Sequence, residues 1–173
     1  MFLELIATVF AGIGAAGLVM AFNWISGGRL PRWLMPVGAG LAMVAMTIWS
    51  EYNWYDRTVA TLPEGVEVAE INEARQMYRP WTYLAPMVDR FMAVDVAGMQ
   101  SNPAQPGQHI ANIYFWGRWQ PVHSLPVAVD CDGLRRAPLV EEARFGADGA
   151  VEGASWTAVP ASDPLLATAC ARG

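Results

Sequence analysis

Lysine is absent from this chain of 173 residues: its eleven basic residues are all arginine, set against sixteen acids. An arginine-only basic set suits a GC-rich genome and points to a bacterial source. Charge of either sign is missing from two long stretches, the 24 residues between Glu4 and Arg29 and the 18 between Arg32 and Glu51. The arginines form no basic patch of the kind nucleic acid requires, so that class of partner is excluded. Cysteine and histidine number two each. Cys131 and Cys170 lie too far apart for a C-x-x-C redox pair or haem attachment, and no G-x-S-x-G elbow serves acyl transfer. No catalytic constellation and no cofactor site emerges, so the chain is expected not to be an enzyme.

The two uncharged stretches are the organising feature. A helix rising about 1.5 Å per residue needs about 20 apolar residues to cross a hydrocarbon core of about 30 Å. Both stretches are apolar all round, where a surface helix of a soluble domain would keep a polar face. The expected fold is therefore a membrane protein. A two-helix transmembrane hairpin (residues 1–50, spans about 5–25 and 33–50, cytoplasmic loop 26–32) precedes a small, mostly antiparallel β or α+β extracytoplasmic domain (51–173) with a short C-terminal helix. Arg29 and Arg32 set the topology, because arginines in short loops stay on the cytoplasmic side. Both termini then face the periplasm of a bacterial inner membrane. The opening Met-Phe-Leu-Glu lacks the basic start of a signal peptide, so the first helix is expected to be retained. Glu4 sits close enough to the end of its helix to reach the headgroups.

Gly12 to Gly17 spells a literal G-x-G-x-x-G. A dinucleotide site would need an acid about 20 residues further on, and the next acid after Glu4 is Glu51. Small residues in a membrane helix instead allow close backbone approach. Ala7, Ala11, Gly14 and Ala15 in the first helix, with Gly38 and Gly40 in the second, are the expected packing positions, against each other or against another protein's helix. Trp24 and Trp33 flank the loop, and Trp49, Tyr52, Trp54 and Tyr55 gather at the far side, as aromatic anchors do at headgroup depth.

Beyond Thr58 the pattern shortens to that of strands. These are expected near 66–71, 89–96 and 108–116, the last two forming a hairpin around a loop that holds Asn102, Pro103 and Pro106. Segments 127–131 and 134–140 flank Asp132-Gly133, the signal of a two-residue hairpin turn. A further strand is expected at 154–159. Ser162-Asp163-Pro164 offers an N-cap and an early helical proline for a helix ending near Cys170.

Residues of chemical interest are few. An even cysteine pair outside the cytoplasm favours a disulfide between Cys131 and Cys170. His109 and His123 flank the ends of a hairpin and are weak metal candidates, provided they converge and recruit a carboxylate such as Asp95 or Asp130. Glu64, Glu67, Glu70 and Glu73, spaced by three, read as a solvated face. Trp81, Trp116, Arg118 and Trp119 make an aromatic and basic set suited to core packing or to stacking on a partner. The expected role is a non-catalytic accessory, assembly or stabilising subunit of a larger inner-membrane complex, its partners the lipid bilayer and other integral membrane subunits or a second copy of itself. The alternative is a membrane-tethered periplasmic module that binds a ligand or metal.

Overall fold

The computed structural model describes residues 2–102, 105–139, 144–145 and 151–171. The chain divides into two compact units, Met1–Arg57 and Thr58–Gly173, each taken by itself.

The first unit is an antiparallel helical hairpin of α1 (Phe2–Ile25) and α2, which begins at Leu34. Gly27 and Gly28 end α1 with φ of +68° and +76°, a conformation that costs glycine little. The Gly28 N–H then closes back on the Asn23 carbonyl at 2.8 Å. The Asn23 side chain accepts from the Leu30 N–H at 3.0 Å, tying the connecting loop to the helix it follows. Both helices are long and apolar enough to cross a membrane. They differ from the sequence expectation at one end: α2 runs on to Val59, nine residues past Ser50. No glycine or proline occurs between Ser50 and Pro63, and side chains reinforce the last turns, with Asn53 donating to the Trp49 carbonyl at 2.8 Å.

The second unit is an antiparallel half-barrel closed at one end by a short helix. Its strands are β1 (Val66–Ala74), β2 (Met87–Asp95), β3 (Gln100–Asn102), β4 (Gln105–Gly117), β5 (Gln120–Asp130), β6 (Arg135–Pro138), β7 (Arg144–Phe145), β8 (Val151–Glu152) and β9 (Thr157–Ala158). The sheet order is β1-β2-β4-β5-β6-β9, with β3 on the side of β4; β7 and β8 pair separately. Side chains alternate across a sheet, so the register sorts them into two faces. Val94, Ala111, Ile113, Val127 and Val129 share the inner face, where α3 (Pro164–Cys170) covers them with Leu165, Leu166 and Ala169 to form the core. Asp163 caps α3 by accepting from the Leu166 N–H at 3.1 Å, with Pro164 in the first turn, as the Ser-Asp-Pro run predicts.

Cys131 and Cys170 are bonded, with Cα atoms 5.9 Å apart, pinning α3 to the turn after β5. That turn departs from expectation. Asp130 pairs with Arg135, so four residues make the loop instead of two, and Leu134 rather than a glycine takes the positive φ, 47°. Asp130 selects this form by accepting from the Gly133 N–H at 2.8 Å. Two positions of the expected loop and strand, Pro103 and Val140, lie outside the described residues. The glutamates read as a solvated face include Glu67, Glu70 and Glu73, which fall on β1.

Candidate ligand groove and helix-packing faces

α3 covers only one end of the inner face. The uncovered end is a groove formed by two overlapping hollows of ≈ 420 and ≈ 430 Å³, which share Glu70, Met92 and Phe115. Strand alternation explains its composition. Glu70 stands opposite Met92, Met92 opposite Phe115, and Phe115 opposite His123, so one row crosses four strands with an acid and a histidine at its ends and an apolar floor between. Asn72 and Arg90 form the next row, and Leu125 extends the floor toward α3. The floor suits an apolar group, and Glu70, Arg90, Asn72 and His123 supply polar contacts at the rim. Arg90 also pairs with Asp89 at 3.8 Å.

The two histidines do not converge. His109 is paired with Val129, whereas His123 is paired with Phe115. Six residue steps on β4 separate those positions, about 20 Å at 3.3 Å per residue. Nor do the proposed carboxylates join them. Asp95 accepts from the Gly98 N–H at 2.7 Å, and Asp130 is held by Gly133 and by Arg135, whose Nε and Nη2 both lie 2.7 Å from its Oδ2. No group of three or more histidine, cysteine or acidic side chains suited to a metal occurs among the described residues. Burial pushes the Asp130 carboxyl up, but the Gly133 amide, the Arg135 guanidinium and Gln108 outweigh it and hold the group below its ordinary range. Asp130 is thus a structural anion beside the disulfide.

The aromatic and basic set also separates. Trp116 stacks on Phe91 with ring centroids 5.2 Å apart and planes 5° apart, and strand alternation turns both side chains away from those of Met92 and Phe115. Trp119 lies in the β4-β5 turn under the Arg118 guanidinium, 4.8 Å away, and Trp81 lies in a 3-10 turn, Pro80–Tyr83.

In the hairpin, the glycines divide between its inside and its outside. A Cβ at Gly12 would run into the Met43 side chain, and one at Gly38 would come within 3.1 Å of Val19, whereas Gly14 and Gly40 have nothing within 4 Å. Gly38 therefore packs within the hairpin, joined by the unforeseen Gly12, while Gly14 and Gly40 sit on its outside. Ala7, Ala11 and Ala15 are partly covered. A shift of two residues turns a side chain through about 200° of a helix, which is why Gly12 and Gly14 part company. At the ends of the hairpin, Glu4 accepts from the Ser50 hydroxyl at 3.0 Å and from Arg57 Nη2 at 3.2 Å. The sequence leads to an expectation of Glu4 at headgroup depth and does not identify these partners.

Trp24, Trp33 and Trp49 are exposed, and Tyr52 and Tyr55 are partly covered. Trp54 is only 5% exposed. Arg29 and Arg32 are exposed in the loop between the helices. Comparison of the chain with protein-family models, with curated proteins and with solved structures finds no match.

Proposed function

We propose that the chain is a non-catalytic accessory or assembly subunit of an inner-membrane complex, its hairpin crossing the bilayer with the Arg29 and Arg32 loop in the cytoplasm and its half-barrel outside. The observation that carries this reading is the outer flank of the hairpin. Leu3, Phe10, Ile13, Leu18 and Phe22 of α1 and Leu41 and Val44 of α2 are all exposed, and the open glycines Gly14 and Gly40 lie among them. Lipid accommodates such a surface, and the glycines let a partner helix approach its backbone. Gentle detergent extraction of the tagged protein should recover one or more integral membrane partners in fixed ratio. Recovery of a lone, monodisperse chain would overturn the proposal. A periplasm-dependent reporter fused after Ser50 tests the orientation, and an inactive fusion would reverse it.

The groove favours a second reading, a tethered module that binds a small ligand with an apolar body and a polar end. Screening small molecules by thermal shift tests it, with Phe115→Asp abolishing any stabilisation observed.

A further inference from the structure

The half-barrel is polarised along its strands. The pairs Ala74 with Met87 and Gly117 with Gln120 bring the loop 75–86 and the turn 118–119 to one end of the sheet. The pairs Val66 with Asp95 and Asp130 with Arg135 bring loops 60–65, 96–99 and 131–134 to the other. The loops at the first end hold Arg75, Arg79 and Arg118 and no acid, with Glu73 and Asp89 on the strand ends beside them; the loops at the second hold Glu64 and Asp132 and no base, with Arg135 beside them. Apolar exposure divides the same way. Met77, Tyr78, Trp81, Tyr83, Leu84 and Trp119 are all exposed at the arginine end, Met77 to 87% and Leu84 to 92%, whereas in the loops of the acidic end Leu134 is the one large exposed apolar side chain among the described residues.

The exposure is imposed by a stiff loop. Thr82, fully buried, accepts from the Gln76 N–H at 2.9 Å and donates to the Arg79 carbonyl at 2.7 Å. The Arg79 N–H closes on the Gln76 carbonyl at 2.9 Å. Residues 76–82 are thereby tied around one hydroxyl, which holds the backbone that carries Met77, Tyr78 and Trp81. The arginines lie on the aromatics, Arg79 5.6 Å over the Tyr78 ring and Arg118 4.8 Å over that of Trp119. Rings and aliphatic tips flanked by arginines match the boundary between headgroups and acyl chains, where amphipathic side chains bury their apolar part and keep the charge among the phosphates.

We infer that loop 75–86, with Trp119, docks the half-barrel onto an anionic bilayer surface, so that the domain rests on lipid by its arginine end. This rests on the membrane reading of the hairpin. The acidic end, repelled by anionic headgroups, enforces the same orientation.

The test uses the full chain reconstituted in vesicles of phosphatidylcholine with and without phosphatidylglycerol. Three variants, Leu84→Cys, Gln100→Cys and Leu18→Cys, each carry one environment-sensitive fluorophore, and the native cysteines, being bonded, do not take it. Lipids bearing a nitroxide near the headgroup should quench the label at position 84, more strongly with phosphatidylglycerol present, and leave that at position 100 bright. Deep nitroxides should quench position 18. Combining Arg75→Glu and Arg118→Glu should restore emission at 84 and leave 18 quenched. A quenched label at 18 with an unquenched one at 84 overturns this inference while the membrane reading stands. An unquenched label at 18 overturns the membrane reading itself. Protection of 84 only after a co-purified protein is added assigns the patch to that protein and overturns the lipid assignment.

Discussion

The hairpin and the half-barrel hide opposite things. Within α1 only Gly12 is buried, while its leucines and phenylalanines face outward. In the half-barrel Val94, Ile113, Val129 and Leu165 are almost wholly enclosed, and among its described arginines and acids Asp130 is the buried one. The membrane reading proposed above accounts for the contrast: an interior in water is held by expelling water, whereas helices in lipid would gain no such term and would associate by close packing. In the first unit the smallest residues decide the contacts, and in the second the largest apolar ones do.

The strongest way to break this contrast is to remove equal volume from each unit. Leu165→Ala should lower the stability of the half-barrel by about 2–5 kcal/mol, read from chemical unfolding in detergent, whereas Leu18→Ala should leave both units nearly unchanged. A comparable loss at position 18 would mean that α1 is buried in a water-excluding core and not surrounded by lipid.

Reducing the bond between Cys131 and Cys170, which closes a sequence separation of 39, should cost the half-barrel about 2–4 kcal/mol by the chain-entropy estimate. Helix content of the hairpin should be untouched. Circular dichroism of the reduced and oxidised protein checks both halves of the statement.

Asp130→Asn should destabilise the half-barrel by about 1.5–3 kcal/mol, the scale of hydrogen bonds to a charged group. Its depressed folded-state value fixes the sign with pH. The Asp130 contribution is fully present above the ordinary carboxylate value of 3.8 and is lost as pH falls through the lower value of the folded protein. The acid limb of a pH-stability profile should therefore flatten in the variant.

Smallest is the effect inside the hairpin. Gly12→Val should cost about 1–3 kcal/mol by overpacking against Met43, seen as faster amide exchange in α1. Gly14→Val should leave exchange unchanged and reduce recovery of partner subunits, which separates the inner glycine from the outer one.

Much of the chain was readable from local chemistry. The helix hairpin followed from uncharged length, the last helix from Asp163-Pro164, and the cysteine pairing from having two. The strand through Pro126 escaped because proline argues against a strand between two neighbours. Its carbonyl accepts from the Leu139 N–H at 2.9 Å, and carbonyl and N–H of one antiparallel residue point to the same side. The missing donor therefore faces the β6 side, where β6 stops at Pro138, and the ladder to β4 stays whole. The distance between the two histidines was not legible because sequence separation does not report how far a hairpin extends before it turns.

The sequence alone determined where charge is missing, and with it two helices long enough to cross a bilayer and a domain of short strands to follow. Tertiary structure decided which glycine faces inward, where the inner sheet face lies open, and that the arginines and exposed aromatics gather at one end of the half-barrel. The difference is one of range. Helix length, caps and loss of charge are set by neighbours within a few residues, whereas a face or an end of a sheet exists only once strands distant in sequence have settled their register.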